Sequence, residues 1–195
     1  MNINGWNYDF DSLPDWDVRD WVPYVTDLLF ENPQRDTAFL IYSIVEYRMC
    51  AYAGKLAIFR NKKKPELFLR VEKSSFSNSE VTFSLDGRFA FVQSSVWDGG
   101  WPIFIFDLVA KKFSYFETVT DNICFTVREI EYSTFAIVAD EWQMKDEPHG
   151  LLRKLHGTRI EMNALKWMPF ADIDSFCGKS EKPGLCKRLR RFLWR

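Results

Sequence analysis

The sequence predicts a mainly β protein: an antiparallel meander, sandwich or partial-propeller-like set of sheets, with an N-terminal helix and a short C-terminal helix. Two observations carry this prediction. β-branched and aromatic residues are dense between Thr37 and Trp142, as they are in strands. Turn signals recur there about every eight to twelve residues, a spacing typical of all-β folds. Most turns are short, so consecutive strands are expected to pair antiparallel.

The 195 residues are predicted to form a single domain. Its parts are an acidic, Trp-rich segment with a helix at 1–36, an antiparallel β core at 37–142, and a mixed segment with a basic helix at 143–195. An apolar content of 47% with 18 Phe and 8 Trp excludes a disordered chain. Apolar runs such as 135–139 are shorter than a membrane helix, and no secretory signal is visible. We therefore expect a cytoplasmic protein with reduced cysteines and no transmembrane segment.

The N-terminal helix is predicted between Asp20 and Glu31. Asp20 is a favoured N-cap residue, and Pro23 falls in the first turn, where a missing N–H costs little. Asn32 and Pro33 would end the helix. The apolar residues follow the spacing of one helical face: Trp21, Tyr24, Val25, Leu28 and Leu29.

Nine strands are predicted in the β core, near 38–49, 55–60, 66–72, 80–85, 88–96, 102–107, 112–118, 123–130 and 133–141. The turns between them include 53–54, 61–65, 74–79, 86–87 and 110–111. Asp86 and Gly87 form the strongest turn signal, because both tolerate positive φ, and they predict a type I′ hairpin. Alternation from 81 to 85 predicts that Val81, Phe83 and Leu85 are buried.

The pattern weakens beyond Trp142. Residues 151–167 fit either a hairpin about Gly157 or a helix, and residues 174–184 fit a loop. From Leu185 to Trp194, apolar residues return at helical spacing with basic residues elsewhere on the helical wheel. That pattern predicts a short basic amphipathic helix.

The stretch 83–116 contains a Ser-x-Asp-Gly hairpin signal, two apolar strands of which the second ends in Asp107, and a turn into a further strand at Lys112. Over about 35 residues this order resembles one blade of a β-propeller. Weaker echoes occur at 52–71 and 123–142. A closed propeller needs at least about four blades of roughly 40 residues each, so the strand-rich region is too short for one.

The net charge of −1 conceals a segregation of charge along the chain. Residues 1–36 contain eight acidic and two basic residues, whereas residues 177–195 contain seven basic residues and one acidic residue. Either these two ends are solvated or pair with each other, or one of them steers a charged partner.

Known enzyme signatures are absent: there is no G-x-S-x-G, P-loop, G-x-G-x-x-G or H-E-x-x-H pattern. The sequence therefore predicts no catalytic residues and no cofactor. His149, His156, Cys177 and Cys186 match no zinc-ligand spacing, so no metal is predicted, and whether these four approach one another stays open.

Two alternatives to protein binding remain open. An unrecognised enzyme could use carboxylates placed by the fold. The basic segment 185–195 could contact nucleic acid or a membrane surface, although a pI of about 6.2 argues against nucleic acid. The same segment could instead dock on the acidic N-terminal part of the chain.

Tryptophan is enriched at the centres of protein interfaces, and here it gathers at turns and strand ends beside acids. The size, the absence of active-site motifs and the acidic, aromatic segments resemble bacterial immunity proteins. That resemblance implies a protein partner, such as a basic toxin domain, for which an acidic face of this chain would mimic phosphate. The partner-binding residues predicted in this way are Asp15, Trp16, Asp17, Asp20, Trp97, Asp98, Trp101, Asp140, Glu141 and Trp142. The oligomeric state is left open.

Overall fold

The computed structural model confirms a mainly β protein built from antiparallel sheets. It describes residues 2–9, 12–13, 22–23, 27–47, 51–77, 81–93, 103–116, 123–131, 136–144 and 152–180. The basic helix predicted at 185–194 lies outside these residues.

The strands in chain order are β1 (Asn2–Ile3), β2 (Trp6–Asn7), β3 (Val22–Pro23), β4 (Leu28–Glu31), β5 (Thr37–Tyr47), β6 (Ala51–Arg60), β7 (Glu66–Ser77), β8 (Thr82–Phe83), β9 (Phe89–Gln93), β10 (Ile103–Asp107), β11 (Lys112–Phe116), β12 (Ile123–Glu131), β13 (Ala136–Met144), β14 (Leu152–Glu161) and β15 (Met168–Pro169). Short 3-10 turns lie at Met162–Ala164 and Phe170–Asp172, and the helix α1 spans Ile173–Ser180.

Within the described residues, three larger sheets accompany the β1–β2 pair. The first sheet has the order β3-β5-β6-β7, and β4 also pairs with β5. The second sheet has the order β15-β11-β10-β9-β8, and the third has β12-β13-β14. Strands β8 to β11 thus form an antiparallel meander over the stretch that resembles a propeller blade. The relation to propellers stays a prediction.

The main core lies between the first and second sheets. Phe39 and Ile58 of the first sheet belong to the same buried cluster as Phe104 and Phe106 of the second. Successive strand residues face opposite sides, so Leu40 packs instead against Trp6, on the far side of the first sheet. The far side of the second sheet is covered by residues 160–167. Central strands buried on both faces explain why β5 and β10 are almost continuously apolar in sequence.

The helix α1 closes the edge of the first sheet. Ile173 and Cys177 are buried in the main core. One Asp174 carboxylate oxygen accepts hydrogen bonds from the backbone amides of Glu72 and Lys73 in β7, at 2.8 and 3.1 Å. A covered edge is protected from pairing with another chain. The loop predicted at 174–184 is therefore wrong over its first residues, which are helical.

The helix predicted at Asp20 to Glu31 is also wrong where the structure describes this segment. Residues 22–23 and 28–31 are strands that pair with β5, with Leu28 opposite Ile41 and Glu31 opposite Ala38. Leu28 packs on the main core, whereas the next residue, Leu29, packs on the opposite face of the sheet. That alternation has a period of two, as in a strand. Pairing with the long β5 therefore stabilises a strand here more than the helical spacing of the apolar residues stabilises a helix.

Three further expectations are corrected by strand length. The turn predicted at Ala53 and Gly54 lies inside β6, and the first four residues of the turn predicted at 74–79 belong to β7, which continues to Ser77. Residues 152–161 form the single strand β14, in which Gly157 pairs with Asp140. Neither the hairpin about Gly157 nor the helix is therefore present.

Gly54 is required by close packing. A Cβ added there would lie 2.6 Å from Ile41 Cγ2 and 3.0 Å from both Ile44 Cγ1 and the Tyr42 carbonyl oxygen. We expect Gly54→Ala to lower the free energy of unfolding by about 1–3 kcal/mol, as overpacking does. Urea denaturation measures the change. Adding Ile41→Leu removes the nearest methyl group and should recover part of the loss, whereas strict additivity would contradict the proposed clash.

Candidate functional site

The structure describes only part of the predicted partner-binding set. Asp15, Trp16, Asp17, Asp20, Trp97, Asp98 and Trp101 lie outside the described residues. Asp140, Glu141 and Trp142 occupy consecutive positions of β13. Asp140 is opposite Thr126 and Gly157, and Trp142 is opposite Cys124 and Lys154. These register positions place the three residues on the middle strand of the third sheet.

A different group of residues meets at one end of the first and second sheets. Four turns lie there, and we call this region the turn end: 32–36, 61–65, 84–88 and 108–111. The Asn61 amide donates to the Asp36 carbonyl oxygen at 2.9 Å, which joins the first two turns. The Asn32 side-chain amide donates to the Gly87 carbonyl oxygen at 2.8 Å, which joins the two sheets. The turn end is thus a connected structure.

The turn at 84–88 differs from the predicted type I′ hairpin. It is closed by the Gly87 amide, which donates to the Ser84 carbonyl oxygen at 2.8 Å. Of the residues in this turn only Gly87 has positive φ, at 65°, whereas a type I′ turn requires two. A Cβ on Gly87 would lie 2.5 Å from Asn32 Oδ1. Leu85 falls within the turn and is 78% exposed, so its predicted burial is wrong.

Arg88 and Asp107 connect the turns of the second sheet. The Arg88 guanidinium donates to both oxygens of Asp107, with Nη2 at 2.7 Å from Oδ2 and Nε at 3.2 Å from Oδ1. The buried Asp107 also accepts from the amides of Val109 and Ala110, at 3.1 and 2.9 Å. Burial alone would raise the pKa of Asp107, but these hydrogen bonds and the charge of Arg88 outweigh it and lower the pKa. The carboxylate therefore stays ionised and holds the turn at 108–111.

The turn end is strongly basic. Its turns contain two acids, Asp36 and Asp86, against six basic residues: Arg35, Lys62, Lys63, Lys64, Arg88 and Lys111. Lys62 donates to the Glu31 carboxylate at 2.7 Å, and this hydrogen bond lowers the pKa of Glu31. Among the described residues, Lys63, Lys64 and Lys111 form no salt bridge. A positive potential at this end follows.

A cleft of about 430 Å³ opens at the turn end between the two sheets. Its lining residues are Arg35, Asp36, Thr37, Arg60, Phe68, Leu108 and Lys111. The Arg60 guanidinium carbon lies 5.4 Å from the centre of the Phe68 ring, and the Lys111 ammonium nitrogen lies 5.7 Å from it. The Thr37 hydroxyl is buried and has no hydrogen-bond partner. An unsatisfied buried group of this kind costs about 1–3 kcal/mol.

Two exposed apolar side chains accompany these charges. Leu85 is 78% exposed and Val109 is 56% exposed, and they lie in the neighbouring turns at 84–88 and 108–111. These two turns are joined because the Leu108 amide donates to the Arg88 carbonyl oxygen at 2.9 Å. Among the large apolar residues whose side chains the structure describes, only Leu67 is also exposed, at 38%. The turn end therefore combines bases with the two most exposed of these apolar side chains.

The sequence reasoning missed the turn end as a site. The run Lys62-Lys63-Lys64 in the sequence predicts only a turn between strands. Arg35 and Lys111 are isolated in sequence and give no signal of their own. The pairing of β5 with β6, and the packing of the two sheets, bring these residues together.

No protein-family model, curated protein or solved structure matches this chain. In the described ranges, no three His, Cys, Asp or Glu residues are grouped closely enough to hold a metal ion. Cys177 is buried in the main core. None of the described helices is long and apolar enough to cross a membrane.

Proposed function

We propose that this chain is a non-catalytic protein-binding protein, and specifically an immunity protein that neutralises a cognate toxin by direct binding. The observation that carries the proposal is the pair of exposed apolar residues, Leu85 and Val109, on neighbouring turns that are fixed by hydrogen bonds. The aromatic, acidic segments in the sequence support the same kind of function.

The turn end has the composition of an interface. Burial of an exposed Leu or Val side chain stabilises a complex by up to about 1.5–3 kcal/mol. Arginine is enriched in interfaces. Arg88 lies in the same turn as Leu85, and Arg35 Nε donates to the Asp86 carbonyl oxygen of that turn at 3.1 Å. Since the Arg88–Asp107 pair and the bond from Asn32 already hold the turns in place, little ordering is needed on binding.

The charges suggest which surfaces a partner would present. The turn end is positive and would attract an acidic surface, whereas the acidic residues of segment 1–36 would attract a basic one. A toxin with a basic nucleic-acid-binding site fits the acidic segment. Either contact should weaken as salt rises, because exposed charges are screened beyond about 8–10 Å at physiological ionic strength.

The test uses the protein products of the genes adjacent to this one, measured by calorimetry and by rescue of growth on co-expression. We expect Leu85→Asp combined with Val109→Asp to weaken the partner's binding at least about 30-fold, the effect of losing an interface hot spot. Both residues are exposed, so stability should change by less than about 1 kcal/mol.

Ser175→Asp is the matched control, since it places a carboxylate on the exposed face of α1, beside the middle of β7. It should leave binding within about twofold of the wild type. If no adjacent gene product binds, or if one binds and rescues growth equally with the double variant, the proposed role of the turn end is wrong.

A further inference from the structure

We propose that the cleft at the turn end is a binding site for an oxyanion, a phosphate or carboxylate group, held by Arg35, Arg60 and Lys111. Three cations and one acid line a space of about 430 Å³. That volume falls within the range of about 300–1,000 Å³ for small-molecule pockets. The inference does not rest on the proposed partner protein, because a small anionic ligand could occupy the cleft by itself.

The aromatic ring of Phe68 organises the positive charge. Arg60 and Lys111 lie 5.4 and 5.7 Å from the centre of this one ring. Phe68 is itself fixed, because it packs edge-on against Phe170 with ring centres 5.7 Å apart. Attraction of each cation to the ring holds two like charges beside the same side chain. An anion in the cleft that both residues line would reduce the repulsion between these two charges.

The backbone of Lys111 supports a role for its side chain. Its φ is 54°, in the left-handed region that glycine and asparagine adopt more easily than lysine. Asp107 fixes this turn by accepting from the amides of Val109 and Ala110. Strained backbone conformations cluster at functional sites, where the surrounding structure holds them in place. A lysine kept in this conformation, with its ammonium in the cleft, fits that pattern.

The two acids near the cleft, Asp36 and Glu66, already have hydrogen-bond or ion-pair partners. One oxygen of Asp36 accepts a hydrogen bond from the backbone amide of Lys62 at 2.7 Å, so this carboxylate is held by the neighbouring turn at 61–65. Glu66 pairs with Arg60 at 3.2 Å, and both side chains are about half exposed, so the pair is screened by water. An incoming phosphate or carboxylate would replace Glu66 as the partner of the Arg60 guanidinium, whose fork matches either group.

The test is isothermal calorimetry of the full chain with inorganic phosphate and, separately, acetate, at about 20 mM salt to limit screening. We expect Lys111→Gly to weaken phosphate binding at least about tenfold while the melting temperature stays within about 3 °C, because glycine accepts the left-handed backbone. Glu66→Gln removes the competing carboxylate and should tighten binding about two- to fivefold. Stronger binding of phosphate than of acetate identifies the phosphate group as the preferred anion, and the reverse identifies the carboxylate.

The matched control is Lys63→Ala, a basic residue of the turn end that does not line the cleft. It should change the affinity for phosphate less than about twofold. The proposal is overturned if neither anion binds, or if Lys63→Ala weakens binding as much as Lys111→Gly. It is also overturned if a labelled oligonucleotide binds while both small anions do not, because the turn end is then a general polyanion surface.

Discussion

Replacing Phe104 with alanine is expected to lower the free energy of unfolding by about 3–5 kcal/mol, the usual loss for a fully buried aromatic residue. Phe104 is 2% exposed and lies at the centre of an aromatic cluster. Its ring contacts reach the first sheet, its own sheet and α1: Phe76, Phe106, Phe113, Tyr115 and Phe176.

The position of this ring explains the size of the effect. Phe76 belongs to the first sheet, Tyr115 to the second and Phe176 to the helix, so a cavity at Phe104 loosens all three elements together. Neighbouring rings cannot all move to fill it, since each is held by its own strand or helix. Aromatic pairs add about 0.5–1.5 kcal/mol beyond the area they bury.

Chemical denaturation of two further variants tests this explanation. Phe104→Leu keeps most of the volume and should lose only about 1–2 kcal/mol. Phe176→Ala should cost less in the Phe104→Ala background than in the wild type, because the two share one contact. A loss below about 1.5 kcal/mol for Phe104→Ala would mean that the two sheets do not pack through this residue.

Much of the fold follows from local sequence. The strands at Ile103–Asp107 and Lys112–Phe116 follow from the sequence, because one apolar run ends in Asp107 and an aromatic run begins after the turn signal at 110–111. Pairing between chain neighbours also follows, since short turns force antiparallel hairpins. These features depend on residues within about a dozen positions of one another.

The errors came from strand pairing that the spacing of residues along the chain does not reveal. Leu28 and Leu29 have helical spacing in sequence, and only the open edge of β5 turns them into a strand. Likewise, Met168 pairs with Phe113, which is far from it along the chain. Strand β6 pairs with both β5 and β7, and this pairing includes Ala53, where the sequence predicts a turn.

The candidate site was less predictable than the fold. Its cations come from turns that no local pattern connects, and they meet only because Asn32 bonds to Gly87 and the two sheets share one core. No feature of the sequence indicates that Asp107 is buried, because an acidic residue at the end of a strand is usually exposed to solvent. The one useful sequence signal was the Ser84-x-Asp86-Gly87 motif, which marks a turn and leaves its partners unspecified.

Asp107→Asn is expected to lower the free energy of unfolding by about 2–4 kcal/mol near neutral pH, as the loss of one partner from a buried ion pair does. The side chain of Asp107 is 7% exposed, whereas that of Arg88 is 41% exposed. Water can therefore compensate the arginine in part, which keeps the loss below the upper end for a fully buried pair. Asparagine also replaces one of two carboxylate oxygens with an N–H donor that faces the guanidinium.

The pH dependence of stability distinguishes the contribution of the Asp107 charge from that of side-chain packing. Folding lowers the pKa of Asp107 below its ordinary value of 3.8, so the ionised form stabilises the native state above that pH. The stabilisation is lost as the pH falls through the lower pKa of the folded state. Urea denaturation should show the wild type approaching the variant as the pH falls below 3.8 and Asp107 becomes neutral.

Asp172→Asn provides the control, since Asp172 is exposed in the 3-10 turn before α1. It should change the free energy of unfolding by less than about 0.5 kcal/mol at either pH. A difference between wild type and Asp107→Asn that stays constant over the whole acid range in which the protein folds would assign the effect to packing of the amide. A difference that closes in acid would show that the ionised carboxylate itself holds the turn at 108–111, and with it the position of Lys111.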